Sequence, residues 1–334
     1  MTKFDAIVVG GGPAGSSCAW QLRRRGVKTL VLEKTSFPRL KLCAGWITPE
    51  VVLDLEMDLA TYPHRFLTFD VTQIHLYGLT FKQRSPQHSI RRYEFDDWLL
   101  RRSGTHVVQH VVKRIDRRGG RFILDDTYES AYLVGAGGTG CPVYRNLFHE
   151  ANPRAKILQA VALEHELPCE WTDGDCHLWF FEKGLPGYSW YVPKQDGYLN
   201  LGVGAIAGRL KLKGQHIAGH WDNFVAGLRR RGLIPDSLRP QPQGYSYYLR
   251  DFVDSYRIGN AFLIGDAAGL ATRDLAEGIG PAVRSGILAA NAIADGADYD
   301  LGSVPAYSLP PGVAQRTLEY LLLRRGAASA ASRH

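Results

Sequence analysis

Three glycines and one acid carry the first chemical signal. A short apolar run, Ala6–Val9, ends in Gly10-x-Gly12-x-x-Gly15, and a second run, Thr29–Leu32, stops at Glu33. Gly10 permits a tight turn, Gly12 lets the backbone approach a pyrophosphate, and Gly15 lets the following helix pack against its strand. The unpaired N–H groups and positive dipole end of that helix favour phosphate oxygens. An acid at position 33 accepts hydrogen bonds from ribose hydroxyls and disfavours a 2′-phosphate. Strand, glycine turn, helix, strand and acid together make a dinucleotide-binding unit.

Further along the chain, Asp266 lies in Gly265–Gly269 (GDAAG) at the end of another apolar run. A carboxylate there can bond a ribityl hydroxyl. Gly278, Ile279 and Gly280 then lead into a helix whose N-terminus would stabilise an anionic reduced flavin. Two other glycine patterns read as glycine-lined turns. Gly135-x-Gly137-x-x-Gly140 runs into Cys141-Pro142, which breaks any helix opening there, and Gly202-x-Gly204-x-x-Ala207 runs on from a strand. In Gly187–Pro193 (GYSWYVP), Tyr188, Trp190 and Val192 share one face by alternation, a candidate pocket wall. The 11 histidines show no metal-ligand spacing. The five cysteines show no CxxC and no four-cysteine cluster motif, which favours reduced thiols and argues against an iron–sulfur relay.

The surrounding elements follow from pattern. Thr48 and Pro49 open a helix as N-cap and first residue. Phe66–Val71, Gln73–Tyr77 and Leu79–Arg84 read as strands. Arg91–Gly104 reads as an amphipathic helix with Phe95, Trp98 and Leu99 on one face. Val107–Ile115, Arg121–Asp125 and Ala131–Val134 read as strands. Residues 155–204 read as successive strands, with Asp196-Gly197 as a hairpin turn. Residues 215–231 and Pro281–Ala294 read as helices, Ala261–Ile264 as a strand, and Leu318–Leu323 as a final apolar helical stretch.

At 334 residues the chain can bury a large core. No apolar run reaches membrane-spanning length, and no signal peptide opens the sequence, so the expected location is cytoplasmic. The net charge of +7 gathers at Arg23–Arg25, Arg229–Arg231 and Arg324–Arg325. These read first as solvated helix ends. The sharper reading is attraction to an acidic redox partner or peripheral contact with a membrane. No nucleic-acid motif accompanies the charge.

Four segments resemble the p-hydroxybenzoate-hydroxylase superfamily of FAD proteins, and more closely its geranylgeranyl reductase branch. They are VVGGGPAGSSCA with Glu33-Lys34; FPRLKLCAGW; GYSWYVP, with Val192 where that branch has Phe; and Gly265–Ala290. The resemblance covers roughly residues 4–292. It implies an α/β fold: a Rossmann-like FAD-binding domain with a parallel sheet, plus a mixed or antiparallel β-sheet domain covering the substrate. The first would comprise 1–60, 91–150 and 250–297, the second 61–90 and 151–249, with 298–334 a tail. It also implies that Pro13, Ala14 and Gly15 meet the pyrophosphate and that Glu33, with Lys34, meets the adenosine ribose. Cys43, Ala44 and Trp46 would lie beside the flavin, Arg92 would bind cofactor, and Val112 would touch adenine through its backbone. Asp266, Gly278 and Ile279 would complete the FAD site. Two departures stand out: Gly135–Gly138 lacks the acid of the family's GADG, and the C-terminus is short for this branch.

FAD supports hydride or oxygen chemistry. The first reading is reduction of carbon–carbon double bonds in an isoprenoid or similar apolar substrate, with Cys43 and Tyr188 as candidate proton donors and Trp190 in the pocket wall. The electron donor is left open between transiently bound NAD(P)H and a redox partner protein. The alternatives are a monooxygenase or halogenase, and a dehydrogenase passing electrons from a partner protein to quinone. Gly269 where hydroxylases carry His, and LCAG where phenolic halogenases carry VGES, count against oxygen chemistry. A non-enzymatic flavin-binding regulator or scaffold is the remaining class.

Overall fold

The computed structural model describes residues 1–253 and 255–324. Strand β1 (Thr2–Val9), helix α1 (Pro13–Arg24) and strand β2 (Thr29–Glu33) form where the apolar runs and glycine turn predict them. Then come β3 (Trp46–Ile47), α2 (Pro49–Asp54, Thr48 as N-cap), β4 (Leu67–Leu76), β5 (Leu79–Ser89) and α3 (Arg92–Arg102). Four strands follow: β6 (His106–Gln109), β7 (Ile115–Arg118), β8 (Arg121–Leu124) and β9 (Tyr128–Gly135). Another four are β10 (Gln159–Pro168), β11 (Cys176–Phe180), β12 (Gly187–Lys194) and β13 (Tyr198–Ile206). Helices α4 (Ala207–Leu212) and α5 (Ile217–Arg230) lead to β14 (Gln243–Tyr248), β15 (Arg257–Ile258) and β16 (Ala261–Leu263). Helices α6 (Ile279–Asp295) and α7 (Val313–Glu319) follow, and α7 runs on into a wider turn, Tyr320–Arg324.

The first sheet runs β15-β16-β9-β1-β2-β6, and all of its pairings from β16 to β6 are parallel. The hairpin β7–β8 joins it antiparallel through β9. The inner strands are continuous apolar runs because both faces are covered. Ala6, Val8 and Val31 meet α1 and α6 on one side, and Ile7, Leu30 and Leu32 meet Phe122 and Leu124 on the other. Helices α1 and α6 cross closely. A Cβ on Gly286 would lie 2.4 Å from the Ala14 carbonyl, and one on Gly265 would lie 2.9 Å from Ala14 Cβ. Only glycine permits that approach, which brings both helix N-termini to the same end of the sheet.

The second sheet runs β14-β10-β13-β12-β11-β4-β5-β3 and is antiparallel apart from β11–β4. Its outer face, with Tyr191, Leu199, Leu201 and Val203, packs on Trp221, Phe224 and Leu228 of α5. Its inner face is free to wall a cavity.

Several expectations change. Phe66–Val71 and Gln73–Tyr77 are one strand, β4, with a register irregularity at Phe69/Val71 in its pairing with β5. The run Val107–Ile115 is broken after Gln109. There the Asp125 carboxylate accepts hydrogen bonds from the Lys113 and Arg114 N–H groups and contacts His110 Nε2, which pulls the chain off the sheet edge. Pro142 does not end helical structure. It stands at the start of a short helical segment that runs on through Tyr144–Phe148, and a first-turn proline loses no helical hydrogen bond. The stretch Gly202–Gly204 is not a turn but the middle of β13. The basic clusters are engaged rather than simply solvated: Arg24 pairs with Glu56, Arg25 with Asp295 and Arg231 with Glu182. Arg325 lies outside the described residues. The five cysteines are free thiols, and no described helix is long and apolar enough to cross a membrane.

Candidate active site

A cavity of about 760 Å³ lies between the two sheets. One side is built by the glycine turn. Gly10 has φ +114°, and a Cβ there would sit 2.4 Å from the Ala136 carbonyl. The turn is locked from the strand opposite: the Gly11 N–H donates to Glu33 Oε2 at 2.7 Å, while Glu33 Oε1 accepts from Thr35. Gly12, the N-cap of α1, carries no side-chain cap, and a Cβ on it would meet only Arg39 at 3.5 Å. The cradle therefore opens into the cavity at the end of a helix, the geometry a pyrophosphate needs.

Pro13, Ala14, Glu33, Lys34, Arg92 and Val112 line this cavity, as do Cys43, Ala44, Trp46, Asp266, Gly278 and Ile279. Tyr188 and Trp190 close it from the second sheet. Of the expected residues, Val192 and Gly15 are off the wall: Val192 is buried in the core with Leu178 and Phe180. The Cβ position of Gly15 is filled by the Gly10 carbonyl at 1.9 Å, so its part is helix–strand packing. The Gly135–Gly140 turn lines the same cavity instead of forming a second one.

Strand register selects the covering wall. Tyr245, Ala162, Gly204 and Tyr188 are cross-strand partners in turn, and so are Gln243, Glu164, Gly202, Trp190, Leu178 and Ile74. The indole of Trp190 lies flat on β13: a Cβ at Gly202 would be 2.0 Å from its ring. Trp190 Nε1 donates to Asn200 Oδ1 at 2.7 Å. The Tyr188 hydroxyl donates to the Leu275 carbonyl, and burial pushes its pKa well up. Its proton is committed to a backbone acceptor, so Tyr188 is a wall residue rather than a proton donor.

The loop Cys43–Trp46 is held from the second sheet by residues that sequence reasoning missed. Glu164 accepts the Cys43 N–H, and Asn200 Nδ2 donates to the Cys43 carbonyl at 3.3 Å. The fully buried Lys194 Nζ donates to the Ala44 and Ile90 carbonyls at 2.7 and 2.6 Å, with Glu166 at 3.8 Å. Cys43 Sγ accepts the Gly45 N–H at 3.4 Å and lies beside the Arg92 guanidinium, itself paired with Asp96. Alternation along β10 was the available signal, because it puts Glu164 on the same face as Ala160 and Ala162.

Burial pushes the Glu164 carboxyl up to about 7, against the Cys43 N–H, Lys41 and Lys194. It pushes Glu277 up to about 7 as well, opposed by Ser308. Lys41, over the Tyr245 ring at 3.1 Å, is lowered by burial to about 8 despite Asp266. Asp266 Oδ2 accepts from the Tyr245 hydroxyl at 2.9 Å, and Oδ1 stands 3.3 Å from the Cβ position of Gly278, beside the N-terminus of α6.

Residues 8–70 match the family described as NAD(P)-binding Rossmann-like domain. The chain is 29% identical over 329 residues to a menaquinone reductase of Mycolicibacterium smegmatis, covering 90% of this chain and 79% of that one. It is 26% identical over 346 residues to a 1H-pyrrole-2-carbonyl-[peptidyl-carrier protein] brominase of Pseudoalteromonas luteoviolacea, covering 92% and 81%. Its fold superposes on a geranylgeranyl bacteriochlorophyll reductase-like protein of Thermoplasma acidophilum with TM-score 0.75 at 18% identity, over 100% of this chain and 84% of that one. In sequence and fold the chain is similar to FAD-dependent oxidoreductases of the p-hydroxybenzoate-hydroxylase superfamily. Its cofactor is FAD. The residues present fit that cofactor: a glycine cradle at one helix N-terminus, Glu33 beside it, and Asp266 next to a second helix N-terminus on one continuous cavity.

Proposed function

We propose that this flavoprotein reduces carbon–carbon double bonds of an isoprenoid or similarly apolar chain. The observation that carries the reading is the inner face of the second sheet. There Tyr188, Trp190, Leu178, Ala162 and Tyr247 form a largely apolar wall beside the Cys43–Trp46 loop. Such a wall takes up a hydrocarbon chain and excludes water. Two of the relatives are named for reductions, one of menaquinone and one geranylgeranyl-type, which supports a prenyl-bearing substrate.

Bound FAD, once reduced, supplies the hydride equivalent. The protein's own residues bind and orient. Glu33 fixes the glycine turn, and Asp266 with the N-terminus of α6 presents polar partners at the far end. Glu164, Asn200 and Lys194 fix the Cys43 loop against the covering sheet. Cys43 serves this arrangement through its backbone, both polar groups of which are bonded to the sheet.

The brominase relative favours a second reading, oxygen-dependent halogenation or hydroxylation. One experiment separates them. The protein is reduced anaerobically with NADH, NADPH or dithionite in turn, then mixed with geranylgeranyl diphosphate or a menaquinone. Reoxidation with a product gaining two hydrogens per double bond is expected. Reoxidation by oxygen alone, with a hydroxylated or halogenated product, would establish the second reading instead.

A further inference from the structure

Among the described residues, Glu164 is the one carboxyl that lines both the main cavity and a smaller neighbouring one of about 80 Å³ behind the Cys43 loop. The smaller cavity is bounded by Leu40, Tyr93, His165, Glu166, Asn200 and Gln243. Of these, Leu40, Tyr93 and Gln243 are solvent-exposed, so the space connects a buried carboxyl to the surface. Its polar lining gives a water several partners.

The groups facing Glu164 come from every element around it. Lys41 and Cys43 approach from the loop, Arg92 from α3, Lys194 from β12, Tyr247 from β14, Asn200 from β13, and Glu166 from its own strand. Three other proton-bearing groups on the main cavity are less suited. Tyr188 is committed to the Leu275 carbonyl. Glu277 is bonded to Ser308 and the Gly280 N–H, where it caps α6. Cys43 Sγ accepts from two donors.

We propose that Glu164 is the catalytic acid of this site, giving a proton to substrate in the main cavity and regaining one from water through the small cavity behind it. The proposal rests on the reductive reading above. In the step, the π bond of the substrate breaks. One carbon gains hydride, for which dihydroflavin is the reductant and is oxidised. The π pair takes the Glu164 proton at the other carbon. Two C–H bonds form, the carboxylate remains, and water reprotonates it. A carboxyl titrating near neutrality is suited to this exchange.

The test uses Glu164→Gln, which keeps an acceptor for the Cys43 N–H, and Glu164→Asp. In single-turnover oxidation of the reduced holoenzyme by geranylgeranyl diphosphate, the Gln variant should be slower by about a hundredfold or more. Flavin content and dithionite reduction should stay unchanged, and Asp should recover part of the rate. The wild-type rate should fall as pH rises through about 7, and the Gln variant should lack that dependence. Infrared difference spectra of the apoprotein in a Glu277→Gln background, which removes the other carboxyl raised to about 7, should show a protonated carboxyl band lost over the same range, and adding Glu164→Gln should abolish it. If the wild type reduces the prenyl substrate and Glu164→Gln does so equally fast, or the band persists in the variant, the acid role is overturned and the reductive reading stands. If the wild type leaves prenyl and quinone substrates unchanged, the reductive reading falls and the acid role with it.

Discussion

Substituting Gly202 by Ala should dislodge Trp190. The added methyl would sit 2.0, 2.2 and 2.6 Å from three atoms of the indole, far inside van der Waals contact. The ring has little room to slide. Its Nε1 is tied to Asn200 Oδ1 at 2.7 Å, and Tyr188 lies at 5.8 Å between centroids on one side. Overpacking of this kind costs about 1–3 kcal/mol. Loss of the buried bond to Asn200 adds about 1–3 kcal/mol. Position 202 lacks a positive φ, so reduced freedom of the unfolded chain returns about 0.4–1 kcal/mol. The net expectation is a destabilisation of about 1–5 kcal/mol. The assay is a double-mutant cycle by urea denaturation. In a Trp190→Ala background, Gly202→Ala should change stability by no more than about 1 kcal/mol, giving a coupling of at least about 2 kcal/mol. Because Asn200 also holds Cys43, substrate turnover should fall more than FAD affinity does. Equal losses in both backgrounds would refute the stacking of Trp190 on Gly202 and the register that produces it.

Tyr188→Phe should retain kcat within about threefold while losing about 1 kcal/mol of stability, because its hydroxyl serves Leu275 and not substrate; steady-state kinetics checks it. Glu33→Ala should weaken FAD on the order of tenfold, read by flavin fluorescence, since Gly11 and Thr35 lose their acceptor. Lys194→Met leaves the buried Ala44 and Ile90 carbonyls without their donor and should cost about 2–5 kcal/mol in denaturation. Glu277 titrates at 4.5 in the unfolded chain and at about 7 in the folded protein. The folded state then binds more protons in that window. The contribution is fully present below pH 4.5 and is lost as pH rises through about 7, a change of about 3 kcal/mol. Denaturation midpoints measured from pH 5 to 8 should therefore fall steadily relative to those of Glu277→Gln.

Much of the cofactor side was legible because its rules are local. The turn Gly10–Gly15 and the acid Glu33 lie within one strand–helix–strand unit, where sterics and spacing of near neighbours set the geometry. The hairpin at Asp196-Gly197 and the buried face of α3 are local for the same reason, and both form as the pattern requires. Where a distant partner intervened, local pattern misled. The run after Gln109 reads as strand until Asp125 takes its N–H groups, and Gly202–Gly204 reads as a turn until Trp190 needs the space.

The sequence by itself determined a dinucleotide cradle, a second helix N-terminus at Gly278, and an alternating aromatic strand. Only the tertiary structure decided what these face. Register between β10, β12 and β13 brings Glu164, Lys194 and Asn200 onto the Cys43 loop, across 121, 150 and 157 positions of sequence for the bonds that hold it. Such pairings depend on which faces are buried together, and burial is a property of the assembled sheets rather than of any one segment.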